Sequence, residues 1–332
     1  MLPPFDAVLL IAFGGPQGRA DIRPFLENVL RGRRVSPDRV EAVAHHYELF
    51  DGVSPITELT LKQAEGLRAA LRDRGHRLPV YVGMRNWHPY LRDTLAQMAR
   101  DGVRRAIGVI AAAHRSYSSC TQYKENVADA RRAVREAGLP DVEITYVNDW
   151  HLAPGFIDAV ADQVAAAVQR LPPDVCQGAE LVFTAHSIPV AMADKYPYQA
   201  QLENSCLAVA TEIARRAGAP QLPPWQLVFQ SRSGRPEDPW LEPDVCDYLR
   251  AASAAGVRSI VLSPIGFVCD HIEVLYDLDI EAAHAASDVG LPLARASAVN
   301  DHPAFVGALA GAVIDLVERY ARGRALPIVS PR

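Results

Sequence analysis

The sequence predicts an α/β protein of two doubly wound halves, each a mainly parallel sheet with helices packed on it. Three observations lead there. Short apolar runs rich in Val, Ile and Phe recur along the chain, as they do in strands buried on both faces. Longer stretches with apolar residues at helical spacing lie between them, so the order reads as repeated βαβ units. The 332 residues amount to about two domains of roughly 150 each.

The first strand is expected over 6–13. Its apolar run, Ala7 to Phe13, follows MLPPFD, which carries no Lys or Arg, and stops at Gly14-Gly15-Pro16 without a small-residue cleavage site. That reads as a buried strand rather than an export signal. Further strands are expected over 80–84, 106–112, 142–147, 180–185, 226–230 and 258–266. Helical spacing among good helix formers covers 56–74, 121–137, 154–170, 199–217, 242–255 and 303–321. Gly138-Leu139-Pro140 and Gly218-Ala219-Pro220 are stop signals for two of these helices. The boundary falls at 149–154, dividing the chain into 1–150 and 151–332. The halves would face each other across a cleft, with sites at the carboxyl ends of strands. No sequence repeat relates them.

Composition removes several function classes. Lys and Arg number 34 against 39 Asp and Glu, a formal charge of −5, which opposes binding nucleic acid through a general basic field. Hydrophobic residues at 49% and charged residues at 22% exclude disorder. The five cysteines, at 120, 176, 206, 246 and 269, form no CxxC, so zinc-ribbon and clustered iron–sulfur spacings are absent. They suit reduced thiols in a cytoplasmic protein. No apolar stretch approaches the roughly 18 residues of a membrane-spanning helix; peripheral membrane contact stays open. Gly14-Gly15-Pro16 matches neither dinucleotide nor P-loop spacing, and there is no GxSxG. Arg31-Gly32-Arg33-Arg34 reads as a solvated turn or an anion contact.

Two segments carry chemistry. In VLSPIGFVCDHIEVLYDLDIEAAH, 261–284, a buried strand Val261 to Phe267 is expected to run into a helix bearing Asp270, Glu273, Asp277, Glu281 and His284. On an α-helix Glu273, Asp277 and Glu281 would share an arc of about 80° over about 12 Å. Like charges at that spacing cost roughly 0.2–0.5 kcal/mol per pair. Ile272, Leu275, Tyr276, Leu278 and Ile280 occupy the other faces, so the helix is expected to be buried on several sides, with carboxylates able to bind or conduct a cation. In LVFTAHSIPVAM, 181–192, His186 directly follows a strand. A neutral imidazole there can ligate ferrous iron or accept a proton. The proline-rich loop 230–245 brings Gln230, Arg232 and Trp240 to the same neighbourhood.

Together these strings resemble the ferrochelatase family, which inserts ferrous iron into porphyrins. The resemblance runs from about Asp6 to Tyr320 through LIAFGGP (10–16), PFLENVLRGR (24–33), GVSPI (52–56), RNWHPYL (85–91), SYSSCTQYKEN (116–126), TAHSIP (184–189), QSRSG with DPWLEPDV (230–245) and PIGFVCDHIEVLYDLDIE (264–281). It implies a chelatase fold of two Rossmann-like domains facing a porphyrin cleft. His186 would be the active-site histidine and Glu273 its partner across the macrocycle, both iron-binding. Asp277 and Glu281 would continue the metal route, and Ser54 and Tyr123 would contact porphyrin, with Lys124, Arg31 and Arg115 near the rim. Phe13 falls where some coproporphyrin-type members have an iron-ligating tyrosine, and it offers no phenolic oxygen.

The resemblance implies Fe2+ as substrate rather than resident cofactor. Some relatives bind a [2Fe-2S] cluster through C-terminal cysteines, and this chain has none after Cys269. A cytoplasmic bacterial monomer taking coproporphyrin III is the favoured reading. Protoporphyrin IX, or a non-catalytic haem- or porphyrin-binding role on the same fold, are the alternatives.

Overall fold

The structure is a computed structural model describing residues 5–32, 35–233 and 237–323. Arg33 and Arg34 of the basic turn, Gly234 of the QSRSG string and the chain after Gly323 lie outside them. Strands β1 (Ala7–Ala12), β2 (Val80–Met84), β3 (Arg105–Ile110) and β4 (Glu143–Tyr146) form one parallel sheet in the order β2-β1-β3-β4. Strands β5 (Glu180–His186), β6 (Trp225–Gln230), β7 (Ile260–Ser263) and β8 (Leu293–Arg295) form a second in the order β6-β5-β7-β8. The two orders are the same pattern, so the halves share a topology that their sequences do not display. In each, the chain reverses direction beside the first strand, and a ligand site belongs at that switch point.

Helices α1 (Ile22–Leu30), α2 (Pro37–Glu48), α3 (Ile56–Asp73), α4 (Leu91–Arg100) and α5 (Gln122–Glu136) accompany the first sheet. Helices α6 (Pro154–Val168), α7 (Val190–Ala193), α8 (Tyr198–Ala217), α9 (Val245–Ala254), α10 (Ile272–Val274), α11 (Ala283–Asp288) and α12 (Pro303–Ala321) follow in the second half. Every residue of β1 is buried, as its unbroken AVLLIA run requires of a central parallel strand. One apolar core spans both halves and includes Phe5, Leu10, Leu67, Phe156, Phe183 and Phe305. Helix α12 packs on both α6 and α3, tying the end of the chain to the first half. Gly155 lets α12 close on α6, because a Cβ there would lie 2.3 Å from the Ala304 carbonyl oxygen.

The structure departs from expectation in several places. The strand expected over 258–266 ends at Ser263, because Pro264 has no N–H to continue the ladder and a turn follows. Strand β8 has three residues, too few to show periodicity. Helices α1, α2 and α4 fall in stretches where no helix was expected. The signal for α2 is a cap: Ser36 Oγ accepts from the Arg39 N–H at 3.3 Å, with Pro37 in the first turn. Two segments are π-helical, Tyr117–Thr121 and Leu275–Ala282. The second joins α10 to α11, and the three pieces are called the acidic helix below. Its i→i+5 turns replace the α-helical geometry expected for the carboxylate row.

Candidate functional site

His186 ends β5 at the switch point of the second sheet. The next residue is pinned from two sides. Ser187 N–H donates to Gln230 O and its Oγ to Leu241 O, each at 2.8 Å. Tyr198 Oη donates to the His186 carbonyl at 3.0 Å. The turn after β7 closes on the same strand, with Gly266 N–H bonded to Thr184 O at 3.0 Å. A Cβ on Gly266 would sit 2.6 Å from that of Ala185, so glycine lets the turn approach. The His186 Nδ1 bonds the Ser187 carbonyl. A carbonyl only accepts, so the proton is assigned to Nδ1 and the Nε2 lone pair is left exposed in the neutral ring. Nε2 lies 3.9 Å from Glu273 Oε2, and both side chains are part-exposed, at 33% and 48%; a ring between them would need about 7 Å, so this geometry sets the two side by side and not, as expected, across the macrocycle.

Glu273 is set by the start of the acidic helix. Asp270, buried, accepts from Arg295 Nη1 at 2.7 Å, Asn300 Nδ2 at 2.9 Å and Ala298 N–H at 3.3 Å. Ile272 is fully buried in a cluster with Ile22, Phe25, Leu26, Tyr47 and Trp87, against which Phe13 also packs. This hydrophobic anchor joins the acidic helix to α1 and α2 of the first half. His271, between these anchors, was not singled out in the sequence; burial lowers its pKa, offset in part by Glu273 and Asp270, while His186 lowers it further. The only sequence signal was its place beside Glu273.

The rest of the acidic row is less uniform than expected. Glu281 has an exposed surface, yet the groups around its carboxyl partly desolvate it, and this, with Asp244 nearby, raises its pKa. Asp277 is mostly enclosed and accepts from Gln230 Nε2 at 3.2 Å and from the Ser231 hydroxyl. Burial raises its pKa to about 7 despite those hydrogen bonds, with Glu273 and Glu281 adding to the rise. Asp277, Glu281, Asp244 and His284 line a cavity of about 330 Å3. Among the described residues no three His, Cys, Asp or Glu side chains converge as a preformed metal cage.

In the first half, Phe13 follows β1 and meets Phe25 edge-on at 6.3 Å. The Arg85 guanidinium lies 5.6 Å from the Phe13 ring centroid and 5.2 Å from that of Tyr123, a three-layer stack that the sequence did not suggest. Ser54 and Tyr123 are 2% and 5% exposed. Arg115 and Lys124 sit elsewhere, around a smaller cavity at the ends of β3 and β4 that Asn148 and Asp149 also line. Arg31 bonds Asn28 at 2.6 Å on the surface.

The ferrochelatase family model matches residues 5–316. Coproporphyrin III ferrochelatase of Streptomyces coelicolor is 44% identical over 322 residues, 94% of this chain and 85% of that protein. Ferrochelatase of Rhodopirellula baltica is 45% identical over 331 residues, 99% of this chain and 91% of that protein. Among solved structures, SirB from Bacillus subtilis with Fe3+ is similar in fold, with a TM-score of 0.55 at 12% identity over 96% of this chain and 97% of that one. Sequence and architecture agree, and the chain belongs to the ferrochelatase family.

Proposed function

We propose that the protein inserts Fe2+ into a free-base porphyrin in haem synthesis, with coproporphyrin III as the preferred ring. One observation carries the chemistry: the Nε2 lone pair of His186, fixed by the Nδ1 bond to Ser187, faces the Glu273 carboxylate across 3.9 Å. The names of the curated relatives support the ring preference.

Insertion exchanges one Fe2+ for the two inner N–H protons of the porphyrin, so the site must strip water from a cation and take up two protons. The His186 imidazole and the Glu273 carboxylate supply one neutral and one anionic acceptor for these tasks. Planar porphyrin leaves no room for a hydrated cation, so the ring must be bent, and binding contacts remote from the metal supply that distortion. In this reading, residues 1–150 and 151–332 form opposite walls. Phe13 faces the ring on one wall, with Ser54 and Tyr123, buried in this structure, reaching it once the bound ring displaces the groups that cover them, and Asp277 and Glu281 extend the metal route behind Glu273 on the other. The chain acts as a cytoplasmic monomer able to touch a membrane from the side, without a resident cofactor. Among the described residues no helix is long and apolar enough to cross a membrane.

The test is Fe2+ or Zn2+ insertion measured with coproporphyrin III and protoporphyrin IX side by side. His186→Ala is expected to lower kcat by at least about 100-fold with the fold intact. Full activity in that variant removes His186 from the centre. Preference for protoporphyrin IX changes the ring and keeps the reaction.

A further inference from the structure

Gln63 lies on α3 with no exposed surface. Its Nε2 is within bonding distance of Val268 O at 3.2 Å, Cys269 Sγ at 3.0 Å and Asn300 O at 2.8 Å. All three acceptors belong to the other half of the chain, 205 to 237 residues away. They lie on the two loops that hold the start of the acidic helix. Asn300, with φ +47°, clasps Asp270 at both ends: its Oδ1 accepts from Asp270 N–H at 2.8 Å and its Nδ2 donates to Asp270 Oδ2 at 2.9 Å. Three residues after Asp270, past His271 and Ile272, comes Glu273.

The amide is expensive at this place. Gln63 Oε1 is buried and has no hydrogen-bond partner among the described residues, which costs about 1–3 kcal/mol. Packing alone would favour an apolar side chain of the same length, with nothing left unpaired. What such a side chain lacks is the donor that reaches both loops at once.

We propose that Gln63 is a positioning residue: by holding Val268 and Asn300 from the opposite half, it sets where the acidic helix begins and therefore the separation of Glu273 from His186. The inference rests on the reading of that pair as the insertion centre. Gln63 touches neither porphyrin nor metal in it, and acts only through the backbone that carries Glu273.

The experiment is steady-state Zn2+ insertion into coproporphyrin III by the full chain, with thermal unfolding followed in parallel. Gln63→Met removes the donor at nearly constant volume, and Gln63→Asn keeps the amide on an arm one methylene too short. Both are expected to fold and to lose about tenfold or more in kcat, since small misplacements of reacting groups cost that much. The KM for porphyrin should stay within about twofold, because the ring-binding wall is untouched. Folded variants with native kcat overturn the inference, as does a raised porphyrin KM at native kcat. Failure of both to fold also overturns it, making Gln63 a folding residue. His186→Ala runs as the control: if it retains full activity, the reading of the pair falls instead.

Discussion

The imidazole of His46 on α2 stacks on the phenol ring of Tyr276 on the acidic helix, with ring centroids 3.5 Å apart and planes 12° from parallel. A residue of the first half thereby lies against the helix that carries Glu273. Burial, with Arg39 and His45 nearby, lowers the pKa of His46, against a smaller opposing pull from Glu273, and a neutral ring suits the stack. His46→Ala is expected to cost about 0.5–1.5 kcal/mol in urea unfolding at pH 7.5. An unchanged midpoint would mean the contact contributes nothing.

His114 is expected to make the protein sensitive to acid. It is 3% exposed, and burial, with His151 nearby, lowers its pKa to about 3, against about 6.5 in the unfolded chain. The folded value is depressed, so its contribution is complete above pH 6.5 and is lost as pH falls toward 3. The slope reaches at most about 1.4 kcal/mol per pH unit from this group. His114→Gln should flatten the fall in urea midpoint between about pH 6 and pH 4. Identical slopes in the two proteins would place the sensitivity in other groups.

Asp277 has the opposite sign. Its folded pKa of about 7 lies above the ordinary 3.8, so ionisation opposes folding. The penalty is absent below about pH 4, grows as pH rises, and is complete above about pH 7. Asp277→Asn keeps an oxygen to accept from Gln230 and Ser231 and never ionises. We expect it to be more stable than native protein at pH 8 by roughly 1–3 kcal/mol, with the difference vanishing near pH 4. A variant that is less stable at pH 8 contradicts this.

Phe13 offers no oxygen to a metal. If its ring faces the bound porphyrin, Phe13→Tyr should add a phenolate-to-iron charge-transfer band to the ferric product complex, which the native complex lacks. A spectrum unchanged by the substitution would turn that ring away from the metal.

How much of this was legible beforehand depended on distance along the chain. His186 could be read as a strand-end ligand because VFTA and Pro189 bracket it within a few residues. The row Glu273, Asp277 and Glu281 could be read because four-residue spacing is local. His271 and His46 gave no comparable signal, since what distinguishes them is burial against distant groups. The rim residues show the same limit: Lys124 and Tyr123 are neighbours in sequence, yet one lines the small cavity beside Tyr146 and the other is buried under Arg85.

The sequence by itself determined the class of fold, the parallel strands, the family and the two residue types suited to bind iron and take protons. These follow from periodicity and short motifs, which are properties of neighbouring residues. Only the tertiary structure decided that one topology occurs twice and that a π-helical turn carries Asp277 and Glu281. It likewise set the 3.9 Å between His186 and Glu273. The fold around the pair includes a hydrogen bond between residues 237 positions apart, and no local pattern encodes a contact whose partners meet only when both halves have folded.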